Sequence, residues 1–209
     1  MLLADDHRLL LEAFKKLLEP EFEVVGTVAD GRTLLTAAPQ LKPDVVVVDI
    51  SMPLLNGMEA ARRLKQSLPA VKVVFLTMNQ DVTLAAQAFD LGASAFLVKS
   101  SAASELRKAI QLALRGKTYM TPLLGETKPE ELARRRRSRR SHSGLALTAR
   151  QREIVQLLAE GHSMKQVAAA LDIATRTVAF HKYRLMEQLR LKSSAELVQY
   201  AIKHRLVSA

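Results

Sequence analysis

A chain of 209 residues, of which 48% are hydrophobic, is long enough for two small domains and too apolar for wholesale disorder. The lack of cysteine excludes disulfides and thiolate metal sites, and no apolar run reaches the ~18–20 residues that cross a bilayer. Acidic Asp5 and Asp6 stand where a secretory signal would need apolar residues, so we expect a cytoplasmic protein.

The formal net charge of +10 is spread unevenly along the chain. Residues 1–121 carry a net charge of +1, whereas residues 122–144 carry +4 and residues 145–209 carry +5. This asymmetry predicts a polyanionic partner for the second half of the chain alone. DNA and an acidic membrane surface would both satisfy it, so the charge leaves the two open.

Short apolar segments alternate with amphipathic helices over the first 118 residues. The valine run from Val45 to Val48 is typical of a strand buried on both faces, as in a parallel sheet between helix layers. Five such strands predict a doubly wound, flavodoxin-like α/β fold whose site lies at the carboxyl ends of the strands. The predicted strands are Leu2–Ala4, Val24–Val28, Val45–Asp49, Val73–Thr77 and Ala95–Val98.

The alternation ends near Thr118. Residues 119–144 contain helix-breaking prolines and an arginine run at 134–140, and they are predicted to form a basic linker. The run is interpreted as a solvated tether, with contact to DNA phosphates as the alternative. Residues 145–209 are predicted to form a small all-α domain of four helices. Three of these begin with capping-box spacing: Thr148/Gln151, Ser163/Gln166 and Ser193/Glu196.

Polar side chains stand where the predicted strands end. Asp5 and Asp6 follow the first strand, Asp49 closes the third, Thr77 closes the fourth and Lys99 follows the fifth. Each alone has an ordinary explanation as a turn residue or a solvated charge, but parallel strands bring their carboxyl ends to one edge. Clustered carboxylates suit Mg²⁺, and a lysine with a hydroxyl suits phosphoryl oxygens. The set predicts attack by Asp49 on a phosphoryl donor, giving an aspartyl phosphate.

Two helical patterns, Ser163–Leu171 and Thr175–Leu189, are separated by three residues, which is the spacing of a helix-turn-helix. The exposed stripe of the second carries an arginine and two aromatic residues, which suits a recognition helix in the major groove. A solvated amphipathic helix is the alternative. The buried stripe is predicted at Val178, Leu185 and Leu189.

Four segments of the first half resemble the receiver domain of response regulators, and the similarity spans nearly all of residues 1–118. Fewer residues precede Asp5 than is usual in that family, so we expect that a few are missing at the start. The segments are Leu3-Ala4-Asp5-Asp6-His7, Asp49-Ile50-Ser51-Met52-Pro53-Leu54-Leu55-Asn56-Gly57, Leu76-Thr77-Met78 and Leu97-Val98-Lys99.

The resemblance implies a role for each residue of the cluster. Asp49 is the implied phosphoacceptor, and Thr77 and Lys99 hold the phosphoryl oxygens. Phe96 falls at the position of the aromatic switch residue, where burial must favour the active state because phenylalanine lacks a hydroxyl. The implied Mg²⁺ site comprises Asp6, Asp49 and the carbonyl of Ser51, with Asp5 acting through water.

The second half resembles the LuxR-type DNA-binding domain over residues 145–205. The matching segments are Leu147–Val155, Gly161, Lys165, Thr177-Val178-Ala179-Phe180-His181 and Leu191-Lys192-Ser193. With the receiver, the chain is identified as a member of the NarL/FixJ subfamily of transcription regulators. The DNA-contacting residues implied are Lys165, Arg176, Thr177, Ala179, Phe180, Lys182, Tyr183 and Lys192. The last helix implies dimer contacts at Leu197, Val198 and Ala201.

Two residues depart from the LuxR-type pattern. Ala174 stands where a hydroxyl residue often caps the recognition helix, and Thr175 is the alternative cap. Arg190 occupies the place of a frequent helix-ending glycine, so left-handed backbone is expected there.

The leading interpretation is a transcription factor switched by phosphorylation. A sensor histidine kinase would phosphorylate Asp49, and the C-terminal domain would then bind double-stranded DNA as a homodimer. The chain would modify only itself, so we do not expect an enzyme. A metal-dependent phosphohydrolase is one alternative, although Ser51 stands where that class has a second aspartate. The other is a DNA-binding protein whose receiver only dimerises, against which the complete phosphorylation set argues.

Overall fold

The computed structural model describes residues 1–125, 129, 131–132, 147–204 and 206–207. These residues form two compact units, an α/β unit in the first part of the chain and a helical unit in the second. The arginine run at 134–140 and most of the predicted basic linker lie outside the described residues. None of the described helices has the length and apolar character that crossing a membrane requires.

The α/β unit is a parallel sheet in the order β2-β1-β3-β4-β5-β6, which confirms the predicted doubly wound fold. The central strand β3 is buried along its whole length, as its valine run predicts. The strands are β1 (Leu2–Ala4), β2 (Gly26–Val28), β3 (Val45–Asp49), β4 (Lys72–Thr77), β5 (Ala95–Val98) and β6 (Tyr119–Met120).

The sixth strand was not predicted and lies within the segment assigned to the linker. Tyr119 and Met120 pair in parallel with Ala95 and Phe96 of β5. Two half-buried residues carry no periodic pattern, and a strand this short forms only because β5 offers an open edge. The α/β unit therefore extends past residue 118.

Five α-helices of the described residues up to Leu114 pack on the sheet, and one face of the sheet is covered by α1 and α5. Valines of β3 and leucines of β4 and β5 meet Leu11, Phe14, Leu106 and Ile110 in one continuous apolar cluster. On the other face, Val46, Val48 and Phe75 are buried as well, so both faces of the central strands are removed from water and the strand ends are left for polar chemistry. The helices are α1 (Arg8–Leu18), α2 (Gly31–Leu41), α3 (Gly57–Ser67), α4 (Val82–Asp90) and α5 (Ala102–Leu114).

The second unit contains the four helices that the sequence predicts. They are α6 (Ala149–Ala159), α7 (Met164–Leu171), α8 (Thr175–Gln188) and α9 (Ser194–Lys203). Val178 and Leu185 of α8 are fully buried and Leu189 is half-buried, so the predicted core stripe is confirmed. Asp172 adopts a left-handed conformation (φ 51°) in the three-residue turn between α7 and α8.

The capping predictions hold for two helices and change at the other two. Thr148 and Ser163 form complete capping boxes. Ser193 accepts a hydrogen bond from the Glu196 N–H, but the Glu196 carboxylate accepts from the Lys192 N–H instead of returning to Ser193. Ala174 is the N-cap of α8, and within the described residues no side chain replaces its missing hydroxyl, so the alternative cap by Thr175 is not observed.

Arg190 has the left-handed backbone (φ 55°) that its glycine-like position predicts. It follows the C-cap Leu189 of α8, and its N–H donates to the Glu187 carbonyl at 3.1 Å while the Leu191 N–H donates to the Met186 carbonyl at 2.8 Å. These two bonds form a Schellman motif, in which glycine is the favoured left-handed residue. The helix thus ends on a residue whose Cβ is strained.

We therefore predict that Arg190→Gly stabilises the helical unit by about 0.5–1 kcal/mol, because glycine relieves the left-handed strain. The measurement is thermal unfolding of the full chain followed by circular dichroism. Arg190→Ala is the control, since it removes the charged side chain and keeps the Cβ. A lower melting temperature for Arg190→Gly than for Arg190→Ala would contradict the strain argument.

Candidate functional site

The ends of β1, β3 and β5 meet at one edge of the sheet, at the point where the strand order reverses. Asp5 directly follows β1, Asp49 closes β3 and Lys99 directly follows β5. The Lys99 Nζ lies 2.7 Å from the Asp5 Oδ2 and 3.1 Å from the Asp49 Oδ2. Residues 44 to 94 positions apart in the sequence therefore meet in one cluster, which we call the acidic pocket, as parallel strand topology predicts.

All three members of this ion pair network are buried: Asp5, Asp49 and Lys99 are each at most 3% exposed. Burial is the largest influence on Asp49 and raises its pKa, because water no longer solvates the carboxylate. The Lys99 ammonium opposes this shift in pKa, the Asp5 carboxylate adds to it, and a hydrogen bond from the Ser51 backbone lowers the pKa again. Asp49 is therefore a desolvated carboxylate beside a fixed positive charge.

The acidic pocket has ligand atoms in the arrangement that a divalent cation needs. One ligand atom from each of Asp5, Asp6, His7 and Asp49 lies within 4.8 Å of all the others. The buried Asp5 Oδ2 contacts Lys99 but accepts no well-aligned hydrogen bond within the described part of the chain, so a lone pair remains for a cation. Carboxylate oxygens in this number fit Mg²⁺.

His7 belongs to the acidic pocket, although no role was predicted for it from the sequence. Its Nδ1 lies 3.1 Å from the Asp5 Oδ1 and 2.9 Å from the Asp6 Oδ1, and its backbone N–H donates to the Asp5 Oδ1 at 2.9 Å. These contacts orient the two aspartates. The sequence feature that could have identified His7 is its position directly after the Asp5–Asp6 pair.

A close backbone approach at Gly57 shapes the pocket beside Asp49. Gly57 begins α3, its N–H donates to the Ile50 carbonyl at 2.9 Å, and a Cβ on Gly57 would collide with the Asp49 carbonyl oxygen. Only glycine allows this approach. Asn56 caps the same helix by accepting a hydrogen bond from the Glu59 N–H at 2.9 Å.

Thr77 and Phe96 lie where the sequence predicts, on β4 and β5. Thr77 closes β4 and is buried, and its carbonyl accepts a hydrogen bond from the Lys99 N–H at 2.7 Å. Its hydroxyl oxygen accepts from the Asn79 N–H at 3.0 Å. Phe96 is fully buried, and its carbonyl accepts from the Thr121 N–H at 3.0 Å, just past β6.

The predicted DNA-contacting residues lie on the turn and helices around α8. Phe180 is 56% exposed and Tyr183 is 59% exposed, so α8 presents two aromatic side chains to solvent. The Arg184 guanidinium lies 5.6 Å from the centre of the Phe180 ring, and the Lys182 Nζ lies 5.7 Å from that of Tyr183. Of the other predicted DNA-contacting residues, three are exposed, namely Lys165, Arg176 and Lys192. Three are half-buried, namely Thr177, Ala179 and Lys182.

The predicted dimer contacts on α9 require a correction. Leu197 and Ala201 are buried in the core of their own unit, in one cluster with Val155 and Leu185. An apolar i, i+4 stripe serves an internal core and a second copy equally well, so the sequence could not separate the two. Of the three predicted residues, Val198 alone is partly exposed.

Comparison with known families matches both units of the chain. Residues 1–111 match the response regulator receiver domain, and residues 145–201 match the luxR family of bacterial regulatory proteins. The oxygen regulatory protein NreC of Staphylococcus carnosus is 32% identical, over 99% of this chain and 98% of that protein. The response regulator protein VraR of Staphylococcus epidermidis is 31% identical, over 99% and 98% of the two chains.

Solved structures give the same result. The response regulator RcsB of Salmonella typhimurium is similar over 95% of this chain and 94% of its own, with a TM-score of 0.64 and 25% identity. RcsB of Salmonella enterica serovar Typhimurium, bound to promoter rprA in the presence of phosphomimetic BeF3⁻, covers 95% of this chain and 96% of its own with a TM-score of 0.59 and 26% identity. With both family matches and relatives of this identity along the whole chain, the protein belongs to the response regulators of the NarL/FixJ subfamily, which join a receiver domain to a LuxR-type DNA-binding domain and regulate transcription in response to phosphorylation.

Proposed function

We propose that this response regulator accepts a phosphoryl group from a sensor histidine kinase on Asp49 and then binds its DNA targets through α8. The observation that supports this most directly is the buried Lys99 ammonium within 3.1 Å of the Asp49 carboxylate and 2.7 Å of Asp5. A buried cation between two carboxylates is costly to maintain for stability alone. Its position suits a site that must neutralise added negative charge.

The carboxylate of Asp49 is the proposed nucleophile. One of its oxygens attacks the phosphorus of the donor while the bond from phosphorus to the kinase histidine nitrogen breaks and returns its electron pair to that nitrogen. Lys99 lies where it can pair with a phosphoryl oxygen after transfer. The Thr77 hydroxyl then exchanges its hydrogen bond from Asn79 for one that it donates to the phosphoryl group.

A divalent cation completes this charge balance. Asp5, Asp6, Asp49 and the Ser51 carbonyl are the residues proposed to hold Mg²⁺, and His7 orients Asp5 and Asp6. Bound there, Mg²⁺ would draw together carboxylates that otherwise repel and would neutralise charge on the transferred group. The chain's own residues supply everything else that we propose for the transfer, and we propose no turnover of other substrates.

Phosphorylation of Asp49 would change the conformation of the α/β unit through Thr77 and Phe96. When Thr77 turns toward the phosphoryl group, the space beside the buried Phe96 ring changes, so the two residues bias the α/β unit between two states.

Double-stranded DNA is the proposed partner of the helical unit, with phosphate contacts from the basic residues around α8. Two copies would bind one two-fold site, with Val198 and its exposed neighbours on α9 as the dimer contact. With these two partners, we propose that the protein acts in the cytoplasm.

The test is DNA binding with and without phosphorylation. A duplex enriched by the full chain from random-sequence DNA is titrated by fluorescence anisotropy, with and without acetyl phosphate and Mg²⁺. We expect the donor to tighten binding on the order of tenfold for the wild type and to leave Asp49→Asn unchanged. Asp44→Asn, which alters an exposed aspartate, is the control and should respond like the wild type. Equal responses of Asp49→Asn and the wild type would contradict the role of Asp49.

The burial of Asp49 also predicts a trade-off between stability and function. Because its pKa is raised in the folded state, folding favours the protonated form, and the free energy of unfolding of the wild type falls as the pH rises through that range. In metal-free buffer at neutral pH, Asp49→Asn should therefore melt at a higher temperature than the wild type.

The increase in melting temperature of Asp49→Asn over the wild type should be smaller in acid, where the wild-type carboxyl is neutral as well. Differential scanning calorimetry between pH 4 and pH 8 checks both statements, with Asp44→Asn again as the control. The range runs from just above the ordinary aspartate pKa of about 3.9 to above neutrality. If Asp49→Asn melts lower than the wild type at neutral pH, the ion pair with Lys99 outweighs burial and the argument is wrong.

A further inference from the structure

The outward stripe of α8 has an uncharged centre. Arg176, Phe180, Tyr183 and Glu187 follow one another at the spacing of a single helix face, and the two aromatic side chains lie between the charged ones. Ala179, beside Phe180, adds only a methyl group. More than half of each aromatic side chain is exposed, and neither carries a charge.

The nearest cations lie beside the aromatic rings and not at the centre of the stripe. Arg184 lies over the Phe180 ring, and Lys182 lies over Tyr183 while its Nζ donates to the Ser194 hydroxyl at 2.9 Å. Both basic groups are thus engaged with neighbouring side chains. They suit phosphate contacts at the flanks of the stripe, where a positive charge is useful whatever the base sequence.

The residue types at positions 179, 180 and 183 restrict what the helix can read in a major groove. Guanine is read there by arginine or lysine, and adenine by asparagine or glutamine. None of these residue types is present at the three positions. Tyr183 retains one hydroxyl for a hydrogen bond, whereas Phe180 has no polar group at all. A phenylalanine can distinguish base pairs only by contact with an apolar group.

The thymine C5-methyl is the apolar group that B-DNA presents in the major groove. We propose that Phe180 selects half-sites by contact with a thymine methyl, so that the DNA targets carry a required thymine in each half-site. The inference rests on the proposed function, in which α8 lies in the major groove. The small side chain of Ala179 permits the close approach that such a contact needs. One methyl removed from contact should weaken binding about fourfold per half-site.

The experiment separates the methyl group from the rest of the base pair. The full chain, with and without acetyl phosphate and Mg²⁺, enriches duplexes from a random-sequence pool, and each thymine of the enriched half-site is then replaced by uracil. At one position uracil should weaken binding of the wild type about fourfold per half-site. At the same position a C·G pair should bind weakly, and a 5-methylcytosine·G pair should recover part of the loss.

Two variants assign the effect to one side chain. Phe180→Ala should bind thymine and uracil duplexes equally, because the contact partner is gone. Gln188→Ala, at an exposed position of α8 outside the predicted DNA-contacting set, should keep the wild-type ratio between them. Circular dichroism checks that both exposed-site variants are folded. Equal binding of thymine and uracil duplexes by the wild type would overturn the inference and leave the proposed function intact. If no sequence is enriched in either condition, the proposed DNA function fails and the inference falls with it.

Discussion

The buried ion pairs of Lys99 with Asp5 and Asp49 are the constraint on which the proposed function of the α/β unit depends. A lysine and two carboxylates taken out of water are each unfavourable, and they are tolerated only because they neutralise one another at distances of 2.7 and 3.1 Å. The sheet makes these distances possible, since the strand order places the ends of β1, β3 and β5 along one edge. One net negative charge remains among the three groups. A cation and a phosphoryl group would each alter that balance, and this is the physical basis of the response to both that we propose.

The feature of the helical unit that matters for its function is the set of side chains that α8 exposes to solvent. Its core is small and relies on end motifs: Thr148, Ser163 and Ser193 cap three helix starts, and left-handed residues close the ends of α7 and α8. The α8 helix keeps a weak start at Ala174 and a strained end at Arg190, yet it carries Phe180 and Tyr183 in water. A recognition helix gains affinity for DNA from side chains that are exposed to water in the free protein and become covered when DNA binds. The concentration of positive charge in the second half of the chain serves the same purpose.

Most of the fold and of the acidic pocket could be predicted from the sequence because the signals are local. Valine runs mark buried strands, and the aspartates, Thr77 and Lys99 stand at strand ends where the topology must gather them. The features that could not be predicted from the sequence depend on tertiary contacts between distant parts of the chain. Strand β6 exists only because β5 has a free edge, and Leu197 and Ala201 form an apolar stripe whose partner is chosen by the tertiary fold. His7 was missed because a histidine beside two aspartates is ambiguous until the side chains converge.

Phosphorylation of Asp49 is the central claim for this protein. Its most direct test is chemical: the full chain is incubated with phosphoramidate and Mg²⁺, reduced with borohydride, which converts an aspartyl phosphate to homoserine, and mapped by tandem mass spectrometry. The account predicts homoserine at position 49 alone, formed only with Mg²⁺ and much more slowly in Lys99→Ala. Homoserine at another aspartate, or none at position 49 while the chain takes up phosphate, would contradict it.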